Sequence, residues 1–335
     1  MFKNEKIRHV VLTGGVGSRL WPLSRKSMPK QYIEMFDNKS LFEMTIKRNI
    51  EIANEATIVG NVDNYHLSKK ATEKLDVKVK NIVEATPRDT AAAIAFAAFS
   101  AKEDEILIVT PSDHIIQNQE AYKKAMVEAI ALAEEGNIVT FGINPTKPET
   151  GYGYIEHKEN DVLSFREKPN KETAEDFIEQ GGFLWNSGMF CFKASVFLEE
   201  LKYFEPEIYK SSEQTWLGAN DGKLDKKQSM SIPSMSIDYA VMERSKKMKV
   251  VKGEFEWSDL GSFESVYHYL INSGHEVDAD GNMVIGSDVY TAFLGTKNTI
   301  FVHTEDANLI LQKNSAQDVK KIYKALNKVN SRLLD

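Results

Sequence analysis

Short apolar runs alternate with helix-like stretches along the first 142 residues, and that alternation leaves few folds open. His9–Thr13 (His-Val-Val-Leu-Thr) is a brief apolar run that stops at glycines, as a buried parallel strand does. Ser40 to Ile52 follows with Leu41, Met44, Ile46 and Ile50 at helical spacing, and Thr57–Gly60 reads as another strand. The Ala-rich stretch Thr90–Ala101 has strong helix propensity. Glu105–Thr110 is again strand-like, and helix Gln119–Glu135 with strand Asn137–Gly142 repeats the pattern. This order predicts an α/β fold: a Rossmann-like, mostly parallel mixed sheet with helices on both faces.

Beyond residue 142 the rhythm changes. Gly151–Glu156 and Val162–Glu167 read as neighbouring antiparallel strands, Met189–Lys193 as a further strand, and Ala194–Leu201 and Asp238–Ser245 as helices. From Ser273 onward, Gly, Asp, Asn and Thr punctuate short segments at Asn282–Ile285, Val289–Leu294, Thr299–His303 and Ala307–Gln312. Such text predicts a small C-terminal β appendage of solenoid type. A terminal helix is expected to open at Ser315, with Asp318 three residues on. Its apolar residues Val319, Ile322, Leu326, Val329 and Leu333 predict a stripe packed on the protein's own core. A length of 335 residues exceeds one small core, so a large domain at 1–270 and an appendage at 271–335 are expected.

Composition removes several classes. The formal charge of −7 lacks the basic surplus of a dedicated nucleic-acid binder. The longest nearly apolar run, Ala91–Ala101, falls short of the ~20 residues needed to cross a bilayer. The start, Met1 to His9, is charged throughout, so no secretory leader is expected. Cys191 is the single cysteine, which excludes an intrachain disulfide and a multi-thiolate metal site. It reads as a buried strand residue. The expectation is a cytoplasmic protein with no nucleic-acid or membrane partner.

Chemistry concentrates after the first strand, in Gly14-Gly15-Val16-Gly17-Ser18-Arg19-Leu20-Trp21-Pro22-Leu23-Ser24-Arg25, then Lys26-Ser27-Met28-Pro29-Lys30. Glycines there allow a tight turn that brings N–H groups against a phosphate. The run is no dinucleotide fingerprint, since the third glycine is absent, and no P-loop, since no Lys-Ser or Lys-Thr follows the second glycine. Its cations come later, at Arg19 and Lys30, placed to clamp a polyphosphate. Asp113 ends an apolar strand at the carboxyl edge, where α/β sheets bind ligands. There it is either a ligand for a hard cation or a turn aspartate. The seven histidines offer no zinc pair.

The glycine-rich run resembles the signature of the sugar-1-phosphate nucleotidylyltransferases. Its Leu-Trp-Pro-Leu-Ser-Arg variant is most similar to the guanylyltransferase branch that acts on mannose 1-phosphate. The resemblance continues through Glu84-Ala85-Thr86-Pro87-Arg88-Asp89-Thr90-Ala91, Pro111-Ser112-Asp113-His114, Gly151-Tyr152-Gly153-Tyr154-Ile155 and Phe165-Arg166-Glu167-Lys168-Pro169. Trp185-Asn186-Ser187-Gly188-Met189-Phe190, Ser236-Ile237-Asp238-Tyr239-Ala240 and Trp257-Ser258-Asp259-Leu260-Gly261-Ser262 follow in the family's order. The chain has Glu84-Ala85 and Arg88-Asp89-Thr90 where the family usually has Glu-Pro and Arg-Asn-Thr.

The resemblance implies a nucleotidyltransferase fold with a left-handed β-helix-like appendage, in the family's short form without a following isomerase domain. It implies GTP and mannose 1-phosphate as partners, Mg²⁺ or another divalent cation such as Mn²⁺, and a homodimer through the C-terminal part. Carried onto this chain, it makes Arg19, Lys30, Asp113 and Asp259 catalytic, with both aspartates on the metal. Leu12, Gly14, Gly15, Gly17, Ser18, Arg19, Glu84, Arg88, Thr90 and Ser112 would bind the nucleotide. Gly153, Glu167, Lys168, Asn186 and Gly188 would bind the sugar phosphate. Glu84 is suited to guanine because a carboxylate accepts from N1–H and the 2-amino group together; as a bare sequence feature it reads equally as a helix-start ion-pair partner. Other readings stay open on the residues alone: a sister enzyme with another nucleotide or hexose 1-phosphate, or a non-catalytic nucleotide-sugar sensor. An oxidoreductase is disfavoured by the missing glycine.

Overall fold

Nine strands join one mixed sheet in the computed structural model, which describes residues 4–35 and 39–335. Met1 to Lys3, the start of the charged N-terminal stretch, lie outside the described residues. In chain order the strands are β1 (Asn4–Thr13), β2 (Ala53–Asn61), β3 (Lys78–Glu84), β4 (Ile106–Pro111) and β5 (Ile138–Ile143). They continue as β6 (Tyr154–Lys158), β7 (Asp161–Arg166), β8 (Phe183–Lys193) and β9 (Met248–Lys252). The spatial order is β3-β2-β1-β4-β8-β5-β9-β7-β6. β1 runs parallel to both β2 and β4, and β2 is parallel to β3. β8 is antiparallel to β4 and to β5, while β9 is parallel to β5. The expected mostly parallel mixed sheet is therefore present.

Alternation along β4 shows how both faces are covered. Leu107 and Val109 join the core of the Ala-rich helix Asp89–Phe99, whose residues Ala91 to Ala98 are all buried. Ile106 and Ile108 point the other way, into the core of helix Gln119–Glu134 with Tyr122, Met126 and Ala129. Successive strand side chains face opposite sides, so one buried strand serves two cores.

The chain forms two compact units that interleave in sequence. One holds residues 1–14, 43–112 and 116–257; the other holds 15–42, 113–115 and 258–335. Position 270/271, where the sequence reading divides the chain, lies in the last segment of the second unit, which also takes in the glycine-rich loop and Asp113.

In that second unit, helix Phe263–Asn272 opens on a capping box between Ser262 and Ser265. Three short strands follow: β10 (Met283–Ile285) parallel to β11 (Thr299–His303), and β12 (Asn308–Gln312) antiparallel to β11. The strand expected at Val289–Leu294 is absent. Val289, Tyr290 and Leu294 are exposed, so the apolar pattern there meets no sheet edge and no core. Ser315 does not cap the last helix. A 3₁₀ turn occupies Lys313–Asp318, and the helix proper is Val319–Lys328. Nor does the stripe pack fully inward: Val319 is buried, but Ile322 is 39% and Val329 73% exposed. The helix ends at Lys328, so Val329 and Leu333 leave its register, and Leu334 is buried instead. Among the described residues no helix is long and apolar enough to cross a membrane.

Candidate active site

The loop after β1 closes on itself through its own backbone. Leu20 N–H donates to the Gly17 carbonyl at 2.8 Å, and the Ser24 hydroxyl donates to the same oxygen at 2.6 Å. Gly17 must be glycine on two counts. Its φ is 77°, and a Cβ there would lie 2.8 Å from the Lys30 Cβ. That approach places the Lys30 stem against the loop.

Residues 15–20 of this loop, with Lys30, Asp113 and Asp259, line one cavity of about 490 Å³. His114, Gly261 and two residues of the C-terminal helix, Lys320 and Tyr323, complete it. The Lys30 ammonium is buried and donates to Asp113 Oδ2 at 2.7 Å and to the Asp259 carbonyl at 2.6 Å. Burial alone would raise the Asp113 carboxyl, but Lys30, and after it His114, hold it below the usual range. Asp259 Oδ1 accepts the Gly261 N–H at 3.0 Å, and a Cβ on Gly261 would fall 2.5 Å from Asp259 Oδ2. The four expected catalytic residues thus share one cavity, 146 positions apart in the case of the two aspartates. Lys30, expected to face phosphates, spends its ammonium on the aspartate side. Arg19 points to the C-terminal residues, its Nη1 donating to Gln317 Oε1 at 2.9 Å.

The motif Leu-Trp-Pro-Leu-Ser-Arg also has a structural task. Trp21 Nε1 and Arg25 Nη1 both donate to the Leu333 carbonyl, at 2.8 and 2.5 Å. Arg25 holds Asp306 through two bonds of 2.6 and 3.2 Å. Trp21 is accordingly a packing and anchoring residue.

The remaining candidates belong to the sheet unit. Parallel pairing sets the ends of β1, β3 and β4 along one edge, with Leu12 in the last residues of β1 and Gly14 following it, Glu84 ending β3, and Ser112 following β4. Ser112 N–H donates to the Leu12 carbonyl at 3.1 Å. Glu84 is 6% exposed, and its Oε1 is buried with no hydrogen-bond partner among the described residues. Burial, then the Asp89 carboxylate, push it up to about 7 against the opposing Arg88 N–H. Arg88 Nε donates to the Ile232 carbonyl at 2.6 Å, and Thr90 Oγ1 accepts from Ile237 N–H at 2.8 Å, so these two brace the 232–237 segment.

On the sugar-phosphate side, a Cβ on Gly153 would fall 2.6 Å from Glu167 Oε2, which explains that glycine. The Lys168 ammonium donates to Glu167 Oε1 at 2.5 Å. Burial would lower its pKa, but this carboxylate holds it above the usual value. Asn186 is fixed in orientation: its Oδ1 accepts from Thr140 Oγ1 at 2.9 Å and from Gly188 N–H at 3.1 Å, and its Nδ2 donates to Asp238 Oδ1 at 3.2 Å. Asp238, pushed up to about 6 by burial and then by Glu167, is a member of this cluster that the sequence reading left unassigned. Cys191 is fully buried in β8, and burial pushes its thiol up, as a structural cysteine requires.

The family model of nucleotidyl transferases matches residues 8–273. The chain belongs to the nucleotidyl transferase family. A second model, the MannoseP isomerase/GMP-like beta-helix domain, matches residues 275–326 of this transferase. Among its relatives is the mannose-1-phosphate guanylyltransferase RfbM of Salmonella typhimurium, 40% identical over 93% of this chain and 71% of its own length. A solved structure from Thermus thermophilus, described as a mannose-1-phosphate geranyltransferase, superposes with a TM-score of 0.83 at 29% identity. It covers 96% of the transferase, over 99% of its own chain. A structure from Helicobacter pylori, described as a mannose-6-phosphate isomerase, reaches a TM-score of 0.69 at 38% identity, over 75% of this chain and 99% of that one.

Proposed function

We propose that this transferase moves GMP from GTP to α-D-mannose 1-phosphate, giving GDP-mannose and pyrophosphate. The observation that carries the reading is the cavity in which a glycine-rich anion loop, Arg19, Lys30, Asp113 and Asp259 meet. The guanylyltransferase name of the Salmonella relative supports the choice of nucleotide and sugar.

No activated protein nucleophile is required. An anionic oxygen of the sugar phosphate attacks the α-phosphorus of GTP in line; the bond to the bridging α–β oxygen breaks and its electrons leave with pyrophosphate. What the protein supplies is alignment and charge neutralisation. The loop N–H groups from Gly15 to Ser18 and the Arg19 guanidinium hold the phosphates. Glu84, ionised, accepts from the guanine edge, and its unpaired buried Oε1 is the acceptor that such an edge would satisfy. Glu167 accepts from sugar hydroxyls, Lys168 offers its ammonium to the sugar phosphate, and the orientation-locked Asn186 donates beside them.

The donor set also fits a divalent cation. Two carboxylates with a substrate's phosphate oxygens are the usual surroundings of Mg²⁺, and Asp113 and Asp259 line the same cavity. When bound there, Mg²⁺ or Mn²⁺ supplies neutralisation of the triphosphate, whose like charges repel by ~1 kcal/mol per pair at 4 Å even in water.

Pyrophosphate release measured across four nucleoside triphosphates and several hexose 1-phosphates tests the proposal. GTP with mannose 1-phosphate is expected to be the best pair. Faster turnover with UTP or dTTP overturns it, as does mannose-6-phosphate isomerisation without pyrophosphate release.

A further inference from the structure

The sequence assigns the terminal helix to packing, yet its solvent-side residues line the cavity. Lys320 and Tyr323 are three apart in the helix, a spacing that sets them side by side, and Gln317, three before Lys320, lies in the 3₁₀ turn that leads into it. Gln317 Oε1 accepts from Arg19, while Lys320 and Tyr323 border the cavity itself. Charge decides what such a face does. Arg19, Lys30 and Lys320 are the cavity's lysine and arginine cations, and Asp113 and Asp259 are its carboxylates. Without Lys320 the two signs cancel, and Lys30 is already held by Asp113 at 2.7 Å. Lys320 makes no ion pair among the described residues and is exposed, so its ammonium is available to an anion. A triphosphate brings about four negative charges, roughly two of them on its terminal phosphate near neutral pH.

We propose that the C-terminal helix completes the polyphosphate site. Lys320 and the Tyr323 hydroxyl bind the β- and γ-phosphates, which leave as pyrophosphate, and Gln317 is a positioning residue that aims Arg19 at the same group. This rests on the reading of the cavity as a triphosphate site. It adds that the site is incomplete without a segment some 290 residues beyond the glycine-rich loop, between positions such as Lys30 and Lys320.

The test measures inorganic pyrophosphate affinity by calorimetry on the full chain, together with KM for GTP and for mannose 1-phosphate. Lys320→Ala is expected to weaken pyrophosphate binding and raise KM for GTP about tenfold, the scale of one charged contact of about 1.4 kcal/mol. KM for mannose 1-phosphate should stay within about twofold. Lys320→Arg should restore most of the loss, and Tyr323→Phe should give a smaller loss of the same kind. Gln317→Ala should lower kcat more than it weakens pyrophosphate binding, since it misaims Arg19 without removing a charge. Unchanged pyrophosphate affinity and GTP KM in Lys320→Ala overturn the proposal. Arg19→Ala separates that failure from failure of the underlying reading. If Arg19→Ala weakens pyrophosphate binding and Lys320→Ala does not, the helix has no part in the site; if neither does, the cavity is not a polyphosphate site at all.

Discussion

At the scale of single residues, Asp113 and Asp259 look alike in sequence and differ in structure. Asp113 is the counter-charge of a buried ammonium, while Asp259 presents its carbonyl to that ammonium and its carboxylate to Gly261. Asparagine at either position should abolish most turnover, because it ligates a hard cation poorly. The melting temperature should divide them. Asp113→Asn strands Lys30 and should cost about 2–3 kcal/mol of stability, since a buried charge loses its partner. Asp259→Asn keeps an acceptor for the Gly261 N–H and should unfold within about 0.5 kcal/mol of wild type. Thermal melts beside activity assays of the two variants check this; equal melts would remove the distinction. Arg19→Ala should lose roughly 10²–10³ in turnover without unfolding, the scale of one transition-state donor. Glu84 makes the third case. Its carboxyl must ionise to accept from guanine and does so only near pH 7, so KM for GTP should rise as pH falls below about 7. Glu84→Gln should flatten that profile and erode the preference for GTP over ITP, which lacks the 2-amino group.

Among elements, those legible in the sequence are the ones whose burial is complete. β4, β5 and the Ala-rich helix are buried along nearly their whole length, and their patterns are unambiguous. Helices Lys171–Gln180, Pro206–Leu217 and Lys226–Met230 are not legible, because little of each is buried: Ala174 in the first, Ile208, Ser212 and Thr215 in the second, Ser229 in the third. Val289–Leu294 failed the other way, a strand pattern with nothing to pair against. The site follows the same logic. The loop, both aspartates and the Glu167–Lys168 pair were readable as motifs, whereas Lys320 and Tyr323 sit on a helix whose louder signal was its apolar stripe. The link between the loop and the C-terminal segment was equally silent, since no pattern announces that Arg25 will hold Asp306 and the Leu333 carbonyl. Arg25→Ala breaks five hydrogen bonds of a buried guanidinium. It should cost about 2–3 kcal/mol, with a rise in KM for GTP as the loop loosens. Proteolysis of the C-terminal segment, faster in the variant than in wild type, would register the change.

For the molecule as a whole, two buried groups of the same sheet unit pull the pH dependence of stability in opposite directions. His9, on β1, is buried beside Thr110 Oγ1 at 2.8 Å. Burial, then Arg48, lower it from 6.5 to about 3. The folded state therefore binds fewer protons than the unfolded state between those values, and stability present above pH 6.5 is lost as pH falls towards 3. Glu84 is raised from 4.5 to about 7. There the folded state binds more protons, and stability rises as pH falls from 7 to 4.5. At roughly 1.4 kcal/mol per pH unit, these two slopes nearly cancel between pH 6.5 and 4.5, and Asp238, raised from 3.8 to about 6, adds a gain in stability as pH falls from 6 to 3.8. Below pH 3.8 the Glu84 and Asp238 slopes are both exhausted while that of His9 persists, and stability should drop by about 1 kcal/mol down to pH 3, with the loss of the Asp113–Lys30 pair adding to it. Denaturant melts across pH 3–8 should thus show no loss of stability down to about pH 4 and then an acid limb. Glu84→Gln removes the Glu84 slope alone, so its stability should lack the contribution that wild type gains as pH falls from 7 to 4.5 and should exceed that of wild type at pH 8. A wild-type curve that falls steadily from pH 7, unchanged in Glu84→Gln, would show that these two groups do not set the acid response.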